Sequence, residues 1–371
     1  MTTTVTPVSP LLGEHLALGA SFTDFAGWQM PLKYDSELAE HRAVRTSAGL
    51  FDLSHMGEID IAGTDAGTLL DYALVGELSK IAVGRAKYSL LCNPDGGVID
   101  DLVVYRLADD QFLVVANAAN APTVFGELAA RAEGLDVAVT DRSTKTALIA
   151  VQGPASQEII TALVPEKQAQ LVADLKYYAA TPAEVAGLQV LLARTGYTGE
   201  DGFELYIPNA RAVLLWQALL TVTTAHGGVP AGLACRDTLR LEAGMALYGH
   251  ELTLDTNPYD AGLGKVVRLN KNFVGRDALQ ELSEKTPQRR LVGLAGTGRR
   301  AARADYTVHD GAGDLPIGTV TSGALSPTLG HLIALAFVDV THSEPGTAVT
   351  VDIRGKLEHF TITPLPFYRR S

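Results

Sequence analysis

Lys87-Tyr88-Ser89-Leu90-Leu91-Cys92, then Asn93-Pro94-Asp95-Gly96-Gly97, then Val98-Ile99-Asp100-Asp101-Leu102-Val103-Val104-Tyr105-Arg106 reads as a β-hairpin. Two apolar runs flank a cluster of Asn, Pro, Asp and Gly, the residues that close tight turns. Residues 111–116 (QFLVVA) predict a third strand, and 120–132 a helix. Working outward, residues 37–47 space Glu37, Leu38, Glu40, His41 and Val44 as a helix does, and Asp65 to Tyr72 starts another after a Gly-Thr-Asp turn. Residues 190–194, a glycine-bearing loop over 195–202 and residues 203–207 predict a second strand–loop–strand unit, followed by helices around 211–225 and 233–244. Strands follow strands without regular helix alternation, which excludes a doubly wound sheet and makes the chain α+β. From Leu291 the texture changes to short strands punctuated by glycine and proline (LVGLAG, IGTVTSG, ALAFVDV, TAVTVDIRG), predicting a small β-barrel or sandwich beyond a boundary near 280–290.

The 371 residues suggest two to three domains, and a composition of 47% hydrophobic and 19% charged residues supplies a sizeable core, excluding a disordered chain. A net charge of −12 argues against nucleic acid or an anionic membrane as partner, because both are held by cationic surface. Cys92 and Cys235 lack metal-like spacing and read as reduced cytosolic thiols. Met1 to Pro10 has neither a cationic region nor an apolar run, so no signal peptide is expected, and no apolar stretch approaches membrane-spanning length. The expected compartment is the cytoplasm.

Several constellations could carry chemistry. Asp100 and Asp101 interrupt an apolar strand and point to opposite faces, so they cannot share a proton. One of them lies beside buried apolar surface, which leaves two readings: a used acid, or a salt bridge or polar edge strand. The loop Arg194-Thr195-Gly196-Tyr197-Thr198-Gly199-Glu200-Asp201-Gly202 is neither a Walker loop nor a dinucleotide fingerprint. It is either shaped to approach a ligand or a surface hairpin. Glu204 then alternates against Phe203 and Leu205. Arg236 and Arg240 share a helix face, with Asp237 placed to pair with Arg240, as on a solvated charged helix. His55 in Ser54-His55-Met56 reads as structural, and nine histidines show no metal spacing. Residues 285–303 hold Lys285, Arg289, Arg290, Arg299, Arg300 and Arg303 with no acid, which suits an anionic partner or a solvated linker.

Taken together, the motifs resemble the T-protein (aminomethyltransferase) family of the glycine cleavage system. They are Asp24-Phe25-Ala26-Gly27-Trp28, Phe51-Asp52-Leu53-Ser54-His55-Met56, Gly96-Gly97-Val98-Ile99-Asp100-Asp101-Leu102 and Leu148-Ile149-Ala150-Val151-Gln152-Gly153-Pro154. The 194–204 loop, Arg236-Asp237-Thr238-Leu239-Arg240-Leu241-Glu242-Ala243-Gly244 and Ile317-Gly318-Thr319-Val320-Thr321-Ser322-Gly323 follow in family order. The resemblance implies a three-domain cloverleaf around a central folate channel. Its parts would be a discontinuous folate-binding domain (1–50 plus 140–280), an α+β domain carrying the Asp-Asp strand (51–139) and a C-terminal β-barrel domain (281–371). It also implies tetrahydrofolate as one-carbon acceptor and the lipoylated H-protein as donor. Products would be 5,10-methylenetetrahydrofolate and ammonia, with coupling to glycine decarboxylase and dihydrolipoyl dehydrogenase.

Carried over residue by residue, Asp101 matches the family's catalytic carboxylate, Glu204 its pterin-binding glutamate and Arg236 its folate-contacting arginine. Tyr88, Asn117 and Tyr197 match folate-lining positions, and Met56 an apolar wall. No metal is implied. The 285–303 stretch is the candidate surface for an acidic H-protein. Two alternatives stand beside this reading: a folate-dependent demethylase of a small methylated amine or sulfonium compound, and a folate-binding accessory protein without transferase activity. The Arg194-Thr195-Gly196-Tyr197 segment and Asp101 favour the enzyme.

Overall fold

The computed structural model describes residues 7–370. The chain divides into two compact units, one built from the residues up to Leu70 with Leu78–Lys87 and Leu102–Asp237, the other from Asp71–Glu77, Tyr88–Asp101 and the residues from Thr238 onward. Each is described by itself. Among the described residues no helix is long and apolar enough to cross a membrane.

The first unit is centred on a six-stranded sheet in the order Ala180–Val185, Leu188–Ala193, Gly202–Pro208, Thr146–Gln152, Gly49–Asp52, Val229–Pro230. Alternation places Phe203, Leu205 and Ile207 in one core with Ile149, Val151, Leu192 and Leu50. Helix Asn209–Ala225 covers that face with Ala212, Leu215, Trp216 and Leu219, spaced as one helical stripe. Burying each of the two leucines stabilises the fold by about 1.5–3 kcal/mol relative to exposure. The opposite face of Gly202–Pro208 carries Glu204 and Tyr206.

The hairpin strands are Ala86–Cys92 and Val98–Ala108, the first two of a five-stranded sheet continued by Gln111–Ala116, Gly57–Ala62 and Ala138–Asp141. The turn between them is set by Asn93, whose Oδ1 accepts the Asp95 N–H at 3.0 Å and the Gly97 N–H at 2.8 Å. Val98–Ala108 is an internal strand of this sheet, and its ladder with Gln111–Ala116 runs from Val103 to Ala108, beyond Asp100 and Asp101.

In the second unit, Arg289–Gly296, Leu332–Asp339, Pro316–Leu325, Thr307–Asp310, Ala348–Asp352 and Leu357–Thr363 close into a six-stranded barrel. Val292, Leu294, Val320, Ala334, Val338, Val351 and Phe360 are among the side chains that fill it. The texture from Leu291 onward left barrel and sandwich open, and closure between Arg289–Gly296 and Leu357–Thr363 decides for the barrel.

The solvated-helix reading is corrected at Arg240. Its side chain is 1% exposed, donating from Nη1 to Glu251 Oε2 at 3.0 Å and from Nη2 to Ser322 Oγ at 2.8 Å. Neighbouring Leu241 joins Ala324, Ile333 and Leu335 in an apolar cluster. Arg240→Ala leaves Glu251 charged and buried, so urea unfolding should show a loss of about 3–5 kcal/mol; Arg240→Met with Glu251→Leu should recover most of it.

Candidate active site

In the first unit, strand register sets the surroundings of Glu204. Its cross-strand neighbours are Ala193 and Ala150, and Phe51 lies beyond Ala150, so small side chains flank the carboxyl. Tyr206 shares its face, and Tyr105 packs edge-on against Tyr206 with ring centroids 5.9 Å apart. Thr195 Oγ1 donates a short hydrogen bond to Glu204 Oε2. The Tyr105 hydroxyl lies 2.8 Å from Thr195 Oγ1 and 3.4 Å from the same Oε2, and Tyr206 donates to Tyr105 at 3.4 Å. These bonds converge on Oε2; none is made to Oε1 among the described residues. Burial pushes Glu204 above the usual carboxylate range, and the Thr195 bond, the Arg236 charge and the Tyr105 bond only partly offset it.

The 195–202 loop is shaped, not a loose surface hairpin. The buried Gln152 amide donates to Thr195 O at 3.0 Å and accepts from Thr198 Oγ1 at 2.9 Å. A Cβ on Gly196 or Gly202 would fall 2.0 or 2.1 Å from that amide, which is why both positions are glycine. Arg194 grips Asp201 through Nε at 2.9 Å and Nη2 at 2.5 Å. Arg45 Nη1 donates to Thr198 O at 2.7 Å and to Glu200 at 2.9 Å. The loop so held presents Tyr197, whose ring the Arg236 guanidinium covers at 4.7 Å.

Met56 and Asn117 flank one end of a strand ladder. The turn closed by Met56 N–H on Leu53 O, 2.9 Å, leads into Gly57, which pairs with Ala116. His55 is 2% exposed, and its ring meets Phe25 edge-on at 5.2 Å. Burial, with the Arg236 charge and against the pull of Asp52, lowers it to about 4, so it is neutral at neutral pH. The structure thus brings Tyr197 onto Arg236 and sets Glu204 within reach of that charge, while Met56 and Asn117 sit at one end of the ladder between Gly57–Ala62 and Gln111–Ala116 in the other sheet.

In the second unit, Tyr88 donates its hydroxyl to Asp101 Oδ2 at 3.0 Å. Asp100 is fully buried and Asp101 only partly so, the alternation expected of a strand. In the basic stretch, Arg289 is committed to the fold, with Nε 3.2 Å from Asp260, Nη2 2.7 Å from Asp255 O and its guanidinium over Phe337. Lys285 lies 3.5 Å from Glu281. Arg290, Arg299, Arg300 and Arg303 are exposed.

Sequence reasoning missed Thr195 and Tyr105 as partners of Glu204 and Tyr206 as the partner of Tyr105, and it missed Glu58. Its only trace of Glu58 was a charge opening the apolar run Glu58-Ile59-Asp60-Ile61. The Glu58 carboxyl is 1% exposed and neither oxygen has a hydrogen-bond partner. Burial, reinforced by Asp141 and Glu204, raises it well above the carboxylate range. The folded chain therefore holds a proton that the unfolded chain releases, and stability falls as pH rises above about 4. Glu58→Gln should unfold at a higher temperature than the parent at pH 8, with the gap closing toward pH 4. A gap independent of pH would contradict the assignment.

Comparison with known proteins places the chain. The model of the GCVT N-terminal domain matches residues 11–271, and that of the glycine cleavage T-protein C-terminal barrel domain matches residues 289–369. The aminomethyltransferase of Cutibacterium acnes is 56% identical over 372 residues, covering 98% of each chain. That of Streptomyces avermitilis is 57% identical over 363 residues, covering 96% of each. The crystal structure of the glycine cleavage system aminomethyltransferase T from Bartonella henselae superposes with a TM-score of 0.89 at 36% identity, over 98% of each chain. With both domain models matched in order and these identities holding over nearly the whole length, the chain belongs to the glycine cleavage T-protein family of aminomethyltransferases.

Proposed function

We propose that the chain transfers the aminomethyl carbon from the lipoyl arm of an H-protein to tetrahydrofolate in the cytoplasm, as one component of glycine cleavage beside the decarboxylase and the dihydrolipoyl dehydrogenase. The proposal includes the three-part division 1–50 plus 140–280, 51–139 and 281–371. The observation that carries the folate reading is Glu204: its Oε2 is taken by hydroxyls, and Oε1 makes no bond among the described residues. A carboxyl oxygen so disposed suits the paired N–H donors of a pterin amino-pyrimidinone edge, and those donors would favour its ionised form. Arg236, stacked on Tyr197, offers a planar donor fork for a ligand carbonyl or carboxylate, and Tyr197 a ring face. Met56 and Asn117 would line the same ligand, Met56 as apolar wall and Asn117 through its amide.

In the reaction, two carbon–nitrogen bonds form, to N5 and N10 of the folate, while the C–S bond to the lipoyl arm and the C–N bond to the departing amine break. N5 and N10 each lose a proton; one ends on the lipoyl sulfur as a thiol and the other on the departing amino group, which leaves as ammonia. Positive charge develops on the migrating carbon and its nitrogens. Asp101, oriented by the Tyr88 hydroxyl, would stabilise that charge and receive a proton in passing. The exposed Arg290, Arg299, Arg300 and Arg303 would meet the acidic surface of the carrier.

The direct test is ammonia release from aminomethyl-lipoyl H-protein with and without tetrahydrofolate. Fast, folate-dependent release with methylene-folate formed in step is expected; folate binding without release would overturn the reading. Asp101→Asn should still bind folate while transfer falls on the order of 10²-fold or more. Alanine at Arg290, Arg299, Arg300 and Arg303 together should raise the KM for the carrier and leave the folate Kd unchanged. An unaltered carrier KM would remove this surface from consideration.

A further inference from the structure

The turn that presents His55 and Met56 is built on a buried carboxylate. Asp52 is 2% exposed, and its Oδ1 accepts the Ser54 N–H at 2.9 Å. Oδ2 accepts a short hydrogen bond from Ser9 Oγ and lies 2.7 Å from His15 Nε2. His15 Nδ1 lies 2.9 Å from the Tyr34 hydroxyl, and the ring is met edge-on by Trp216 at 5.1 Å. Next to the carboxylate, Nε2–H donates to Asp52. Ser9 and His15 both bond the carboxylate and not each other, so this is no nucleophile relay.

Beyond Asp52, the turn is closed from the sheet side. Leu53 N–H donates to Leu148 O at 2.8 Å, Leu148 N–H donates to Ser54 Oγ at 3.3 Å, and Met56 N–H returns to Leu53 O at 2.9 Å. The first residue after the turn enters the ladder with Ala116. Asp52 is thus the joint between the N-terminal segment carrying Ser9, His15 and Tyr34 and the turn whose His55 lies beside the Arg236 charge. Burial alone would raise the Asp52 carboxyl, but the hydrogen bond and charge of His15, with Ser9 and Ser54, hold it below the ordinary range as an anion.

We propose that Asp52 is a positioning residue of the folate site: it holds the Ser54-His55-Met56 turn in place, and Ser9, His15 and Tyr34 hold Asp52. The inference rests on the folate reading of Met56 and Arg236. Asp52→Asn keeps the shape but turns an amide donor toward Ser9 or His15, so the turn shifts without an atom being lost. Displacement of a binding group by a fraction of an ångström weakens binding while leaving the transfer chemistry of Asp101 intact.

The test measures thermal midpoint, tetrahydrofolate Kd and KM, and kcat at saturating folate for the full chain and for two variants. Asp52→Asn should raise folate Kd and KM about tenfold with kcat within about twofold of the parent. Tyr34→Phe, which removes one hydrogen bond and no volume of consequence, should move Kd about threefold in the same direction; it carries the test if Asp52→Asn does not fold. A lowered midpoint with unchanged Kd in the folded variants would mean a purely structural role and overturn the proposal. Folate binding absent in the parent chain would overturn the folate reading itself, an outcome distinct from parent binding that neither variant alters.

Discussion

A carboxylate in the interior of a sheet has to be met by donors, and much of the first unit is arranged around that requirement. Glu204 stands between two alanines on a central strand, and three hydroxyl side chains serve one of its oxygens directly or in relay. Holding Thr195 in place requires the loop that follows it, which in turn requires the Gln152 amide threaded between Gly196 and Gly202. The same loop turns Tyr197 under Arg236. A single part-buried carboxyl thereby links a strand register, two glycines, a buried glutamine and a stacked arginine.

The same logic recurs wherever the chain buries charge. Asp52 is surrounded by a backbone N–H, a serine and a histidine. Arg240 is matched by Glu251 and Ser322, and Glu242 by Ser326, Thr328 and the Thr328 backbone. Glu58 departs from the pattern: its neighbours are acids, and it escapes the cost of buried charge by keeping its proton. Polar groups handled in these ways determine which turns and helices can pack, because unsatisfied alternatives cost more than the packing returns.

The hairpin was legible because Asn93-Pro94-Asp95-Gly96-Gly97 cannot continue a strand, and the third strand at 111–116 emerged with the bounds of Gln111–Ala116. Four of the six barrel strands were visible as apolar runs. Thr307–Asp310 and Leu357–Thr363 were not, since their polar residues at alternate positions give little hydrophobic signal. Arg240 misled because a charged residue four from another on a helix ordinarily faces water. Nothing local announced that Glu251, eleven residues on, would meet it.

Composition, alternation and turn chemistry in the sequence determined the α+β class, the β-rich C-terminal part and the opposite facing of Asp100 and Asp101, because these follow from contacts within a few residues. Ordered motifs determined the family. Only the tertiary structure decided which acids are satisfied, that Glu204 keeps one oxygen without a bond among the described residues, that Arg289 is spent on Asp260 and Phe337 while Arg290 is exposed, and that an N-terminal histidine secures the turn before Met56. Those outcomes depend on pairing across nine to several tens of residues, where register and packing select the partner and local pattern carries no record of it.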